Sequence, residues 1–413
     1  MALDSEHTKS ELSPSRWGML AICWFAIFFM YSSWYIILVL FGPEGPILFI
    51  DGSSVEAYLV WTFPLVGLTC IALPAGLLVD KYGLKKTGIL GLSILVVTTV
   101  CRGLSYDFLT MSLSSIFLGV GVGVMFPIGG KLISLWFGEK EIGTASGIRV
   151  MAAGLGIAIS QSIAVLLLLP WLGSWRYIFF FYAFCLLIIL FLWFFIKEKP
   201  VSFVKRDRAP FRESLSKVIH NKYVWMLGVI NLLLLAVYLT GLKALHPIFE
   251  VQMGKTLADL AISMVSYGAM VANVIMPLLS DRASNRRYFL LMAIIVLIPS
   301  LLLINFVGEI GIWILSFIIG YMVGTIAPIA ATIPIELKGV GHLYIAGASG
   351  FMTTIGRIGG FIGPMIYIFI TASTGMEISG FIFLSILLLV GIILVKLLPE
   401  TAGKASEAII EFK

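Results

Sequence analysis

The chain has 413 residues, of which 60% are hydrophobic and 12% charged, with a formal net charge of +6 and a mean hydropathy of +1.04. A soluble protein carries about 25% charged residues, so a chain this apolar cannot cover itself with polar surface in water. The composition excludes a soluble domain and predicts an integral membrane protein with the lipid bilayer as its main partner and no nucleic acid.

In chain order, residues 1–16 (MALDSEHTKSELSPSR) form a polar tail. The apolar run Trp17–Phe41 exceeds the ~7–15 residues of a secretory core, so it is read as a retained first span. Further runs of spanning length follow at 57–79, 87–104, 108–136, 144–169 and 177–196. After a polar stretch at 197–222, six more lie at 223–245, 260–279, 288–307, 310–333, 343–371 and 378–398. The expected fold is an all-α membrane protein with twelve transmembrane helices in two six-helix bundles, 17–196 and 223–398. A linker at 197–222 and a tail at 399–413 complete it. Cys23, Cys70, Cys101 and Cys185 all fall in apolar runs and are expected to be small buried side chains, without a disulfide or metal site.

Basic residues set the expected orientation. Of the 28 Lys and Arg, 20 lie in the tails, the central linker and the loops on the same side, against two, Arg176 and Lys255, in the opposite loops. By the positive-inside rule both termini and the linker are cytoplasmic, in a multi-pass protein of the cell membrane.

The two halves repeat. "GLLVDKYGLKK" (76–86) and "PLLSDRASNRR" (277–287) align at an offset of 201, pairing Asp80 with Asp281 and Lys81 with Arg282. The same offset carries Gly119, Gly123 and Pro127 onto Gly320, Gly324 and Pro328. "ASG" at 145–147 meets "ASG" at 348–350, now offset by 203. Three matches in one order point to a duplicated, pseudo-symmetric unit, an architecture in which secondary transporters place the substrate between the halves near mid-membrane.

The loop Gly76-Leu-Leu-Val-Asp80-Lys81-Tyr-Gly83-Leu-Lys85-Lys86 resembles the G-x-x-x-D-[RK]-x-G-[RK]-[RK] motif of the major facilitator superfamily. Asp281 and Arg282 stand in its degenerate copy, and "SWRYIFF" and "PET" (399–401) are similar as well. The resemblance implies twelve helices, alternating access, and a gating role for this loop at the mouth that closes. It also implies that the first, fourth, seventh and tenth helices line a cavity, with faces of the second, fifth, eighth and eleventh. The fifth helix lacks the proline of drug antiporters, and Ser115 stands where the fourth often has an arginine; both lower that reading.

Six bases lie within or at the ends of spans: Arg102, Lys131, Arg149, Lys243, Arg357 and Lys396. Lys396 is expected to snorkel, Arg102 to pair with nearby Asp107, Lys131 to reach the cytoplasmic interface, and Lys243 to have Glu250 within reach. Arg149 stays open between an anchoring and a binding role. Arg357 has no such escape. It lies 14 residues into the run from 343, roughly 21 Å at 1.5 Å per residue. An arginine at a helix centre costs about 2.5–3.5 kcal/mol, and no carboxylate lies at that depth. The expected partners are water and a transported anion, with a purely structural Arg357 as the other reading. Tyr31 and Tyr35, four residues apart on one helix face, and Tyr238 and Tyr321 are further candidates for the pocket.

Arg357 on the eleventh span is similar to the oxalate:formate antiporters, which use bases on the eighth and eleventh helices, but the eighth span here has no base, only Asn273. A single deep cation favours a monoanion. "PIGGKL" (127–132) fails as a phosphate loop, since Met125 and Leu132 replace its glycine and hydroxyl residue. Neither an enzyme nor a cofactor is therefore expected. The expected function is secondary transport of a small anion, with an organic acid as first candidate, by a monomer using exchange or uniport. The alternatives are a carrier of a neutral solute such as a sugar, and a transporter-like receptor.

Overall fold

The computed structural model describes residues 15–40, 55–137, 141–196, 216, 218–337 and 341–400. Both tails and most of the linker expected at 197–222 lie outside the described residues. So do some side chains within the helices, Asp80, Lys243 and Lys255 among them. Hydrocarbon offers no partner to a backbone amide, so a spanning segment must satisfy its own as a helix. Every regular element among the described residues is a helix. They are α1 (Ser15–Tyr35), α2 (Ile37–Leu40), α3 (Val55–Leu104), α4 (Phe108–Trp136), α5 (Ile142–Ile163) and, beyond a π-turn, α6 (Leu169–Leu172) and α7 (Trp175–Trp193). The second half holds α8 (Lys222–Met253), α9 (Lys255–Ala283), α10 (Arg286–Leu303), α11 (Glu309–Glu336), α12 (Gly341–Thr374) and α13 (Glu377–Leu397). Among the described residues eleven helices are long and apolar enough to cross a membrane, and Val55–Ile71 is a shorter apolar helix.

α3 is two arms joined at Gly83, whose φ of 82° and ψ of 175° leave the helical region. Only glycine occupies that region without strain. The residue 201 positions on, Ser284, ends α9 at φ 50°, ψ 40°, a left-handed conformation that a serine tolerates at some cost. The repeat therefore turns at one point in both halves. Gly83→Ala is expected to destabilise the protein by ~1–3 kcal/mol, read as a lowered thermal-unfolding temperature. An unchanged temperature would show that this turn relaxes freely.

The pseudo-symmetry extends to backbone packing. A Cβ on Gly67 would strike the Ile116 carbonyl, and one on Gly119 the Pro64 carbonyl, so α3 and α4 cross with backbones touching. In the second half, Gly268 meets the Phe317 carbonyl and Gly320 that of Val265, where α9 crosses α11. All four pairs obey the offset of 201. Likewise Gly156 abuts Phe28 of α1, and Gly359, 203 residues later, abuts Leu232 of α8. Small residues that let helices approach are what holds bundles together where lipid removes the hydrophobic contrast.

Two expectations change. Residues 246–259 are not an interval between spans, because α8 continues to Met253 and α9 starts at Lys255, with only Gly254 (φ 79°) between. The polar side chains that ended the predicted spans there are paired with one another, as described below, and Pro247 is accommodated within α8. Cys23 is buried, but Cys70 and Cys101 are exposed on the outside of their helices, where lipid suits a thiol as well as a core does.

The halves meet through α3 with α12 and α5 with α9. Phe63 lies 6.4 Å from Phe361 between ring centroids, and Gly154 of α5 packs on Met270. These contacts lie in the middle of the helices and toward the face opposite the ends at Ser15 and Leu397.

Candidate functional site

Arg357 is placed by the glycines around it. Gly356, Gly359 and Gly363 close against Asn231, Leu232 and Ala236 of α8, locking that face of α12 to its neighbour. The arginine is thereby held at mid-helix, 6% exposed. Its guanidinium carbon stands 5.8 Å from the Phe126 ring centroid of α4, across the interface between the halves. Among the described residues no carboxylate pairs with it. Tyr31 of α1 lies within electrostatic reach of Arg357 and also of Arg149.

Arg149 reaches the same region from α5. Its aliphatic stem lies where a Cβ on Gly129 would be, 2.7 Å from its Cδ, and its buried Nε has no hydrogen-bond partner among the described residues. Tyr31 thus lies within the field of one cation from each half, an arrangement suited to a small anion and not to a cation.

The remaining wall is aromatic and polar. Tyr31 stacks on Trp34 at 6.2 Å and tilts toward Tyr35 at 6.3 Å. Trp34 donates from Nε1 to the Trp61 carbonyl at 3.1 Å, which fixes the α1–α3 corner. Tyr238 of α8 lies near Tyr31 and Tyr35 of α1 and near the Ser266 side chain of α9. The Ser266 hydroxyl donates to Gln161 Oε1 of α5 at 3.1 Å, and one residue on Ser162 meets the Tyr267 hydroxyl at 3.3 Å. Gln161 is fully buried, and among the described residues its Nε2 has no hydrogen-bond partner. Gln161 and Ser266 escaped the sequence reading. The signal was present as the one amide side chain in the fifth span, but single amides and hydroxyls are too common there to stand out.

The structure gathers Arg357, Arg149, Tyr31, Tyr35 and Tyr238. The ring of Tyr321 packs at 6.2 Å on Phe317 of its own helix. The Lys243 side chain lies outside the described residues, and its expected partner Glu250 is taken by His246 at 3.5 Å.

Of the other bases, Arg102 departs from expectation. Arg102 does not pair with Asp107. It is fully buried, donates to the Ser33 carbonyl at 2.7 Å and lies 4.9 Å from the Phe179 ring centroid. The carbonyl is available because α1 ends two residues later, at Tyr35. Asp107 instead caps α4, accepting from the Thr110 amide at 2.7 Å and hydroxyl at 2.6 Å. Those two bonds hold its carboxyl below the usual carboxylate range. Lys131 turns inward and donates to the Val79 carbonyl at 3.0 Å, beside the first loop, because that carbonyl ends the first arm of α3 next to the Gly83 break. Lys396 is exposed at the end of α13, as snorkelling requires.

In the first loop, Gly76 faces open space, Lys81 lies 5.2 Å from the Tyr82 ring, Lys85 is half-buried and Lys86 exposed. The Asp80 side chain is outside the described residues. In the second loop Asp281 forms an ion pair with Arg286, and Arg282 is exposed. Glu400 of the "PET" segment accepts from the backbone amides of Arg286 at 2.9 Å and Arg287 at 3.1 Å. A carboxylate on the orphan amides of a helix N-terminus is favourable both as a cap and against the dipole. Among the described residues no ion pair joins the two loops.

Comparison with known proteins follows the fold. The family model described as Major Facilitator Superfamily matches residues 23–343. A "Probable nitrate/nitrite antiporter" of Thermus thermophilus is 26% identical over 92% of each chain. A "Probable 4-methylmuconolactone transporter" of Cupriavidus pinatubonensis is 25% identical over 59% of this chain, which spans 58% of that relative. Two matches to nitrate/nitrite and L-galactonate transporters span only about a quarter of those relatives, 27% and 23%. Among solved structures, a bacterial homolog of the human lysosomal transporter Spinster, inward-facing and unoccupied, superposes with a TM-score of 0.72. It is 16% identical over 93% of this chain and 96% of its own. On fold, repeat and family match together, the chain is a multi-pass membrane protein that belongs to the major facilitator superfamily, a family of non-enzymatic transporters of small molecules.

Proposed function

We propose that the protein carries a small anion, an organic acid or an inorganic monoanion such as nitrate, across the cell membrane. The bundles 17–196 and 223–398 rock about the central site, with the linker at 197–222 between them. The observation that carries this reading is Arg357, buried at mid-helix without a described carboxylate, against Phe126 of the other half and within electrostatic reach of Tyr31. The charged relatives agree in kind, since their names include nitrate and hexuronate. A single substrate that bridges the two cations is gripped by both halves at once, which is what alternating access requires. The first loop, with Asp80, Lys81 and Gly83, and its copy at Asp281 and Arg282 are read as the gate on the face bearing the termini.

Purified protein screened by thermal shift against nitrate, formate, galacturonate and galactose should respond to at least one anion and not to galactose. Stabilisation by galactose alone would favour the neutral-solute reading and make Arg357 structural. The orientation has its own test. A single cysteine at Asp207, on a cysteine-free background, should resist an impermeant thiol reagent in intact cells, because 20 bases lie on that side against two on the other. Ready labelling would reverse the orientation.

A further inference from the structure

The far ends of α8 and α9 hold a buried titratable cluster that the central site does not use. His246 is 4% exposed and lies between two carboxylates. Its Nε2 is 2.7 Å from Asp259 Oδ1, and its Nδ1 is 3.5 Å from Glu250 Oε2. Asp259 is 1% exposed, and the Glu250 side chain, at 18%, is the member that water reaches. A neutral imidazole has one N–H and satisfies one carboxylate, leaving its other nitrogen's lone pair facing an anion. Imidazolium satisfies both. A buried carboxylate is tolerated when paired and costly when not, so the geometry is complete only with a proton on the ring.

Among the described residues the surrounding charges do not supply a substitute. On the same two helices, the side chains of Lys243 and Lys255 are outside the described residues. Of the helices packed on α8, α11 brings Glu309 in its first turn and α13 brings Glu377, which accepts from the Tyr367 hydroxyl at 2.7 Å. Among the described residues no further acid or base pairs with the three. Asp259 is also tied to the machinery between the halves: its carbonyl accepts from Ser263 at 3.1 Å, and Ser266, which bonds Gln161 across the interface, is two turns along α9.

We propose that His246, Asp259 and Glu250 form a binding site for one proton, open to the face opposite the termini. When filled, the site clamps the end of α8 to α9 and so stiffens the helix that contacts α5. It is a modulatory site; the proton is not handed to Arg357. The proposal does not depend on which solute is carried, and its test needs no substrate.

The test is the apparent unfolding temperature of the full chain in detergent, followed from pH 5 to 8.5, the interval in which histidine changes charge. Filling the site at low pH adds a contact that is lost as pH rises, so the wild-type temperature should fall across the interval. Glu250→Gln removes the second charge partner at the water-facing edge, and His246→Gln removes the titrating ring. Each should flatten this fall by roughly 2 °C or more. The control, His220→Gln, alters an exposed histidine bonded to the Ser216 carbonyl and should leave the fall unchanged. If Glu250→Gln and wild type give superimposable curves, or if His220→Gln flattens the curve as much, the proposal is wrong. Should His246→Gln fail to fold, Glu250→Gln alone decides.

Discussion

Arg357→Gln is expected to weaken binding of the transported anion by about 10- to 100-fold while leaving the protein folded. A hydrogen bond to a charged group contributes ~1.5–3 kcal/mol, and each 1.4 kcal/mol is tenfold in affinity. Glutamine keeps two N–H donors on a shorter stem, and the backbone contacts of Gly356, Gly359 and Gly363 with α8 are untouched. Removing the charge also relieves its burial at mid-membrane, so the unfolding temperature without ligand should be unchanged or higher. Arg357→Lys keeps the charge, loses the planar fork, and should retain part of the affinity. The measurement is a thermal-shift or calorimetric titration of each variant with whichever anion stabilises the wild type. Normal binding by Arg357→Gln would remove the main support for an anion carrier, and a failure of that variant to fold would make the residue structural. Arg149→Gln should give a smaller loss, since Arg149 is less buried and its stem lies against Gly129.

The second large effect concerns stability. Gly119→Ala and Gly320→Ala should each destabilise the protein by ~1–3 kcal/mol or more. The added methyl meets backbone carbonyls, of Pro64 and Val265, that cannot rotate aside. Relief requires the whole crossing of α3 with α4, or of α9 with α11, to open. Because the two positions are related by the repeat, their losses should match closely. Gly130→Ala, on the same helix as Gly119 but facing open space, is the control. It should be neutral or gain up to ~1 kcal/mol from helix propensity. Apparent unfolding temperatures of the three variants check this. Equal behaviour of Gly119→Ala and Gly130→Ala would mean that the crossing is looser than the backbone contacts imply.

Much of this protein was determined by the sequence alone, for a reason specific to membranes. A span must be apolar for about 20 residues and must be a helix, so a one-dimensional pattern yields the elements directly. The duplication was equally visible, because glycines at the helix crossings recur at a fixed offset, and the turn at Gly83 keeps its place although Ser284 fills it in the second half. Arg357 stood out because no local group could neutralise it. What hydropathy could not decide was where polar side chains find partners across the bundle. Arg102 looked like a partner for Asp107, five residues away, yet it bonds the carbonyl of Ser33, 69 residues distant, which the end of α1 leaves free. The stretch 246–259 was read as lying outside the membrane helices because it carries His246, Glu250 and Asp259. Only the packing of α8 on α9 brings these three together, so that each offsets the cost of burying the others. The pairing of Gln161 with Ser266 and the placing of Tyr31 between Arg149 and Arg357 are likewise products of helix packing. Each joins side chains whose separation in sequence is long.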